Sequence, residues 1–327
     1  MSEVFLLWGD NIRTVMIFAL FSAGLFCIIW GGDRFVDAAA SIARLSGIPP
    51  FVIGATVVSV ATTLPELLVS VMAAASGQPD MAAGNAVGSV TANTALILGL
   101  SALIAPAAAD KKYIKKSLYL FAAIILLWAF SLTGELRIFG AVIMLILFGL
   151  YTVRSVAEAK ARRLDEPAED SGDTGGMKAA LSFIIGAAAI IIGSRLLVDN
   201  GTLIARDILN VDERVISLTM LAVGTSLPEL VTAISAISKG QSSLTAGNIL
   251  GANIIDTLLI LPVCSLVSGG LPVDNAVLYT DLPMCLLASV IMLVPALIRG
   301  RFSRIQGGVS IVLYLIYMTK ISLPIVF

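Results

Sequence analysis

One stretch of the chain occurs twice. TTLPELLVSVMAAASGQPDMAAGNAVGSVTANT runs from Thr62 to Thr94, and TSLPELVTAISAISKGQSSLTAGNILGANIIDT from Thr225 to Thr257, aligned without a gap at an offset of 163. Leu64-Pro65-Glu66 falls on Leu227-Pro228-Glu229, Gly84-Asn85 on Gly247-Asn248, Gly88 on Gly251 and Asn93 on Asp256. A long internal repeat limits the architecture before any other inference, because each half must build the same unit.

The solvent for that unit follows from composition. The 327 residues are 58% hydrophobic and 13% charged, against roughly 25% charge in soluble domains. This is the composition of a polytopic membrane protein. Ten apolar runs of spanning length are expected, at about 14–46, 49–76, 80–106, 113–133, 136–156, 178–208, 212–239, 242–268, 275–298 and 304–324. The first and sixth are long enough to tilt or to extend beyond the bilayer. Glu3 and Asp10 precede the first run where a signal peptide would be basic, so that run is expected to be a retained span. The polar stretch 160–177 reads as a linker between a first five-span repeat, 1–159, and a second, 178–327.

Placing the N-terminus outside puts fourteen Lys and Arg in inside segments and five in outside ones, with Arg34 and Arg195 inside spans. This bias sets both termini outside and the linker in the cytoplasm. An odd number of spans per half turns the second half upside down. The loops agree: Lys111, Lys112, Lys115 and Lys116 follow the third span, whereas LVSGGLPVDN after the eighth has no basic residue. The expected fold is therefore all-α, ten transmembrane helices as two inverted five-helix repeats, with a site where the repeats meet near the midplane.

Pro65 and Pro228 interrupt apolar spans. Each lacks an N–H and clashes one turn back, which frees the carbonyls of Ala61 and Gly224 and loosens those of Thr62 and Thr225. Free carbonyls at that depth must be buried in protein, face water or bind something. A simple kink is the bland reading; repeat-equivalent prolines, each followed by Glu, weigh against it. Glu66 and Glu229 are costly at mid-membrane and are functional candidates by default. Thr62 and Thr225 lie four residues earlier on the same helical face, and Thr63 and Ser226 three residues earlier. Pairing of each Glu with a buried base is the alternative, but Arg34 and Arg195 have nearer acids in Asp33, Asp37 and Asp199.

Asn85, Ser89 and Asn93 form a polar stripe spaced by four, matched by Asn248, Ala252 and Asp256. Gly84-xxx-Gly88 and Gly247-xxx-Gly251 allow close helix approach. For Asn85 and Asn248, interhelical hydrogen bonding and ion contact are both open; Asn93 and Asp256, deeper in, are read as ligands. Every group on offer is an oxygen, which selects hard cations, and a dry cage suits Na⁺ and Ca²⁺ better than Mg²⁺. Three ionised acids carry a formal charge of -3, balanced by three Na⁺ or, to within one charge, by one Ca²⁺. The chain has no His, and its three Cys are scattered, which excludes His-based acid–base chemistry and a His or Cys metal cage. No nucleophile is paired with a base, so an intramembrane enzyme is not expected. Nothing resembles a nucleic-acid footprint.

These motifs resemble the two α-repeats of the cation/calcium exchanger superfamily, nearest to the prokaryotic sodium/calcium exchangers. The family's GTSLPE appears as Ala61 to Glu66 and as Gly224 to Glu229; its GNxxGS appears as Gly84 to Ser89 and, with Ala for Ser, as Gly247 to Ala252. The resemblance implies Na⁺/Ca²⁺ antiport by alternating access, with ions held between the second, third, seventh and eighth helices. It implies Glu66 and Glu229 as shared Ca²⁺ and Na⁺ ligands, carbonyls from Thr62 and Thr225, and hydroxyls from Thr63 and Ser226. Ser89 would line one Na⁺ site, Asn93 and Asp256 would complete the central site, and the carbonyls of Ser59 and Ala222 would cap the two outer Na⁺ sites. The first and sixth helices would slide past the rest. Na⁺ and Ca²⁺ are then substrates in a lipid bilayer, with no cofactor and no obligatory protein partner. A proton/cation antiporter and a passive cation channel are the rival functions. Three departures stand out: Ala61 for Gly stiffens the first half, Thr63 for Ser keeps a hydroxyl, and Ala252 for Ser removes one from the expected external-side Na⁺ site.

Overall fold

The computed structural model describes residues 2–108, 115–165, 172–209, 224 and 226–322, with side chains described at 13–108, 115–158, 176–209, 224 and 226–321. Helices occupy all ten expected stretches. They are α1 (Ser2–Ser46), α2 (Pro50–Thr62 and Leu64–Ala75), α3 (Pro79–Ile104), α4 (Ser117–Ser131) and α5 (Ile138–Asp165). The second half follows with α6 (Gly172–Leu203), α7 (Leu227–Ser238), α8 (Ser242–Ser268), α9 (Val277–Arg299) and α10 (Arg304–Ser322). Among the described residues, six helices are long and apolar enough to cross a membrane alone, and α2 makes a seventh if its bent halves count as one span. Helices α5 and α6 run further into the polar segment than its composition suggests, reaching Asp165 and starting at Gly172.

Two short backbone pairings report which loops share a face. The strand β1 (Glu135–Leu136), after α4, pairs antiparallel with β2 (Leu271–Pro272), after α8. Ala108, after α3, bridges to Arg301, after α9. Loops after even-numbered helices meet each other, as do loops after odd-numbered ones. That parity is what ten crossings require, and it sets the lysine-bearing loop after α3 opposite its repeat equivalent after α8.

Close crossings through glycine hold the interior, α3 against α10 at Gly99 and Gly307 among them. Helix α1 packs along α6 through Gly24 against Gly193 and Gly31 against Gly186; a methyl at Gly24 would lie 2.9 Å from the Gly193 carbonyl. The first half of α2 crosses α8, where a methyl on Gly247 would strike the Phe51 carbonyl and one on Gly251 would lie 2.5 Å from Ser59 Oγ and 2.8 Å from Ala55 Cα. Small residues replace side-chain contact with backbone contact, which is how helices gain dispersion energy where lipid offers no hydrophobic drive. The expected Gly-xxx-Gly approach is thus present on α8. On α3, methyls at Gly84 and Gly88 meet nothing described within 4 Å; the residues equivalent to the α2 side of the crossing, 214–218, lie outside the described residues.

Candidate functional site

Both prolines break their spans at the same place. Thr63 leaves helical geometry at φ -85°, ψ 0°, and Ser226 does so at φ -88°, ψ 8°. The two parts of α2 meet at 46°. Pro65 and Pro228 sit in the first turn of the helix that restarts, where a missing N–H is harmless. Glu66 and Glu229 follow in that first turn, so each carboxylate stands at a helix start held inside the protein. A helix start carries partial positive charge, which favours the carboxylate there.

Helices α3 and α8 supply the other wall, and each widens into a π-helical turn at its functional residue. The wide turns cover Ala92–Leu98, which contains Asn93, and Asp256–Ile260, which begins at Asp256. Such turns leave carbonyls without their usual partner and recur at functional sites. A third, Gly54–Val58 in α2, has its Ala55 carbonyl taken by Tyr151 Oη at 3.1 Å.

The structure joins expected residues of the two repeats at Thr63 and Glu229 and at Ser226 and Ser89. Glu66 and Asn93 are 1% exposed, Glu229 and Asp256 0%. Among the described residues, both oxygens of Glu66, both of Asp256, one of Glu229 and the amide oxygen of Asn93 have no hydrogen-bond partner. No ion pair joins these acids to a Lys or Arg there. The alternative of a buried base is therefore not met: Arg34 lies over the Trp30 ring, and Asp33 and Asp37 pair with Lys239. Buried carboxylates without partners call for a cation or a proton.

Contacts across the repeats hold the ring of oxygens. Thr63 Oγ1 donates to Glu229 Oε1 at 3.3 Å, and Ser226 Oγ donates to Ser89 Oγ at 3.4 Å. Thr62 Oγ1 lies 3.3 Å from Asn248 Oδ1 and 3.4 Å from the Ser59 carbonyl, which also accepts the Thr63 N–H at 3.0 Å. Asn85 Nδ2 donates to Ser70 Oγ at 2.9 Å, so Asn85 and Asn248 both make the interhelical bonds left open above. Thr225 and Ala222 lie outside the described residues.

Two further residues belong beside the site. Asn253 Nδ2 donates to Thr94 Oγ1 at 2.7 Å, while Asn253 Oδ1 is buried without a partner. Comparison of the repeats passes over Asn253 because it aligns with Val90; the available signal is a second Asn in an apolar helix, three residues before Asp256. No group of three or more His, Cys, Asp or Glu side chains gathers closely enough to hold one metal ion among the described residues. A cation here must complete its shell with hydroxyl, amide and carbonyl oxygens.

Fold and site define a class: a multi-pass membrane protein of two inverted five-helix repeats that enclose unpartnered oxygens between broken helices. The family model for sodium/calcium exchanger proteins matches residues 16–157 and again 178–322. The chain belongs to this family of membrane antiporters. It is 35% identical to the inner membrane protein YrbG of Escherichia coli K12, over 90% of this chain and 92% of that protein. It is 29% identical to the sodium/calcium exchanger MaX1 of Methanosarcina acetivorans, over 92% and 97% respectively. The solved structure of the sodium-calcium exchanger NCX_Mj soaked with Na⁺ and Sr²⁺ superposes with a TM-score of 0.83 at 31% identity, covering 95% of this chain and 99% of that one.

Proposed function

We propose that this protein exchanges Na⁺ for Ca²⁺ by alternating access, with the ions held between α2, α3, α7 and α8. The observation that carries this reading is the set of buried oxygens of Glu66, Glu229, Asp256 and Asn93 that lack partners. They come from equivalent positions of both repeats, and among the described residues no protein group pairs with these oxygens. Glu66 and Glu229 act as ligands shared by Ca²⁺ and Na⁺. Thr63, Ser226 and Ser89 add hydroxyls, the carbonyls of Thr62 and Thr225 line the break, and Asn93 and Asp256 complete the central position. The carbonyls of Ser59 and Ala222 cap the outer positions.

The shared carboxylates explain why exchange is coupled. One Ca²⁺ or two Na⁺ neutralise the pair, and an empty pair is an uncompensated buried charge that resists the passage of the protein through its closed form. The acids and Asn93 are sealed as they stand, so transport requires a movement that opens them to one side at a time. The long α1–α6 pair, packed through glycine backbones, is suited to slide as a unit. With three Na⁺ per Ca²⁺ each cycle moves one charge, and the membrane potential contributes about 2.3 kcal/mol per 100 mV. Both termini lie outside, and the segment between α5 and α6 is cytoplasmic.

The test is ⁴⁵Ca²⁺ uptake into proteoliposomes loaded with Na⁺, compared with equal Na⁺ on both sides and with Glu66→Gln. Uptake that needs the outward Na⁺ gradient and vanishes in the variant supports the exchanger. Uptake driven equally by a pH gradient without Na⁺ transfers the reading to a proton/cation antiporter, and uptake indifferent to any counter-ion to a channel.

A further inference from the structure

The end of the α4–α5 pair nearest the segment between α5 and α6 carries an open groove of about 650 Å³, lined at its head by Lys115, Lys116, Arg154 and Glu158. Its lower wall is apolar, formed by Leu118 and Ala122 of α4 with Leu147 and Leu150 of α5. Leu118 is 58% exposed and Leu150 53%, on a face that lipid must cover. The groove is therefore amphiphilic along its length.

The head residues are not equivalent. Lys116 is buried, donates to Ser155 Oγ at 3.1 Å and pairs with Glu158 at 3.1 Å. It neutralises the single acid and closes the inner wall. Lys115 is exposed, with no ion pair among the described residues. Arg154 is also exposed and spends one N–H on Tyr119 Oη at 3.0 Å, which fixes the guanidinium over the groove and leaves its other donors available. The head thus has a net charge of about +2, one planar donor held in place and one exposed ammonium, directly above a slot for hydrocarbon.

We propose that this groove binds an anionic phospholipid, its phosphate between Lys115 and Arg154 and one acyl chain along Leu118, Ala122, Leu147 and Leu150. Charge complementarity selects the anionic head: Arg forks onto phosphate oxygens, and basic pockets between transmembrane helices on the cytoplasmic side suit such heads. The apolar wall selects a lipid over a soluble anion. Occupancy would tie the start of α4 to the end of α5. Through Tyr151, whose hydroxyl holds the Ala55 carbonyl and whose ring lies 5.4 Å from that of Tyr119, the same pair braces the first half of α2.

The test titrates the purified full-length protein in mild detergent with dioleoyl phosphatidylglycerol or dioleoyl phosphatidylcholine and counts bound lipid by native mass spectrometry. Wild type should retain phosphatidylglycerol in preference. Lys115→Gln with Arg154→Gln, both at exposed positions, should weaken that binding about 30-fold while leaving phosphatidylcholine unchanged. Lys178→Gln with Arg304→Gln, equal in charge but elsewhere, should leave it intact, and Ala122→Trp should displace the acyl chain. The proposal is overturned by equal retention of the two lipids, by equal loss in both double variants, or by displacement of the lipid with glycerol phosphate at matched concentration. Transport activity enters none of these readouts, so this site and the exchange reaction stand or fall separately.

Discussion

The two repeats reach the same shape with different hydrogen bonds. Each breaks at a hydroxyl residue, restarts at Leu-Pro-Glu and faces a helix with a wide turn at Asn93 or Asp256. The hydroxyls then diverge. Ser226 of the second half finds Ser89 across the interface at 3.4 Å. For its counterpart Thr63 the repeat equivalent of Ser89 is Ala252, which has no hydroxyl, and Thr63 Oγ1 donates instead to Glu229 Oε1 at 3.3 Å. One missing oxygen therefore ties the first half to the carboxylate of the second, while Glu66 keeps both oxygens without a partner among the described residues. The acids differ as well, since an uncharged amide at Asn93 stands where the second half places the carboxylate of Asp256. A pseudo-symmetric scaffold can thus hold chemically unequal positions, as transport of ions of different charge demands.

Replacing each carboxylate in turn probes this inequality most strongly. Glu229→Gln should abolish Na⁺-driven Ca²⁺ uptake as fully as Glu66→Gln, because removing one side of a desolvated charge contact costs about 3 kcal/mol, roughly 150-fold in Ca²⁺ affinity. A variant with wild-type half-saturation would show that the two acids are not shared ligands.

The glycine crossings come next. Gly247→Ala should destabilise the protein by about 2 kcal/mol through overpacking against Phe51. A fluorescence melt in detergent should show a clear drop in midpoint, and Gly84→Ala a much smaller one. Equal melts would remove the claim that α2 and α8 touch through backbone.

Ala252→Ser restores the hydroxyl and should release Thr63 from Glu229. Half-maximal activation by Na⁺ should move about fivefold, the worth of roughly one hydrogen bond. An unchanged Na⁺ titration would mean that this position does not shape a Na⁺ site.

The smallest effect concerns the stripe's first Asn. Asn85→Leu should lose the Ser70 bond, worth about 0.6 kcal/mol in a membrane interior, and leave the Ca²⁺ half-saturation of uptake unaltered. A tenfold loss of Ca²⁺ affinity would reassign Asn85 from packing to ligation.

Much of this architecture was legible in the chain because its signals are local or periodic. Span count, inversion of the halves and the breaks at Pro65 and Pro228 follow from apolar run length, loop charge and the missing proline N–H. Glu66 and Glu229 stand out because a carboxylate in an apolar span is costly and the bland explanation, a buried base, has its candidates Arg34 and Arg195 beside nearer acids. Asn85 and Asn248 were ambiguous because an amide serves a neighbour or an ion equally well, and only packing reveals Ser70 and Thr62 as their partners. The wide turns at Asn93 and Asp256 carry no residue signature at all.

The sequence alone therefore determined the class of fold, the oxygen chemistry on offer and which buried acids are candidates, since each depends on residue type at a depth set by the chain itself. Tertiary structure decided which oxygens are already spoken for. It assigned Thr63 to Glu229, Ser226 to Ser89 and Asn253 to Thr94, and left Glu66 and Asp256 without partners among the described residues. A hydrogen bond forms within about 3.5 Å, and the offset of 163 residues between the repeats says nothing about distances that small.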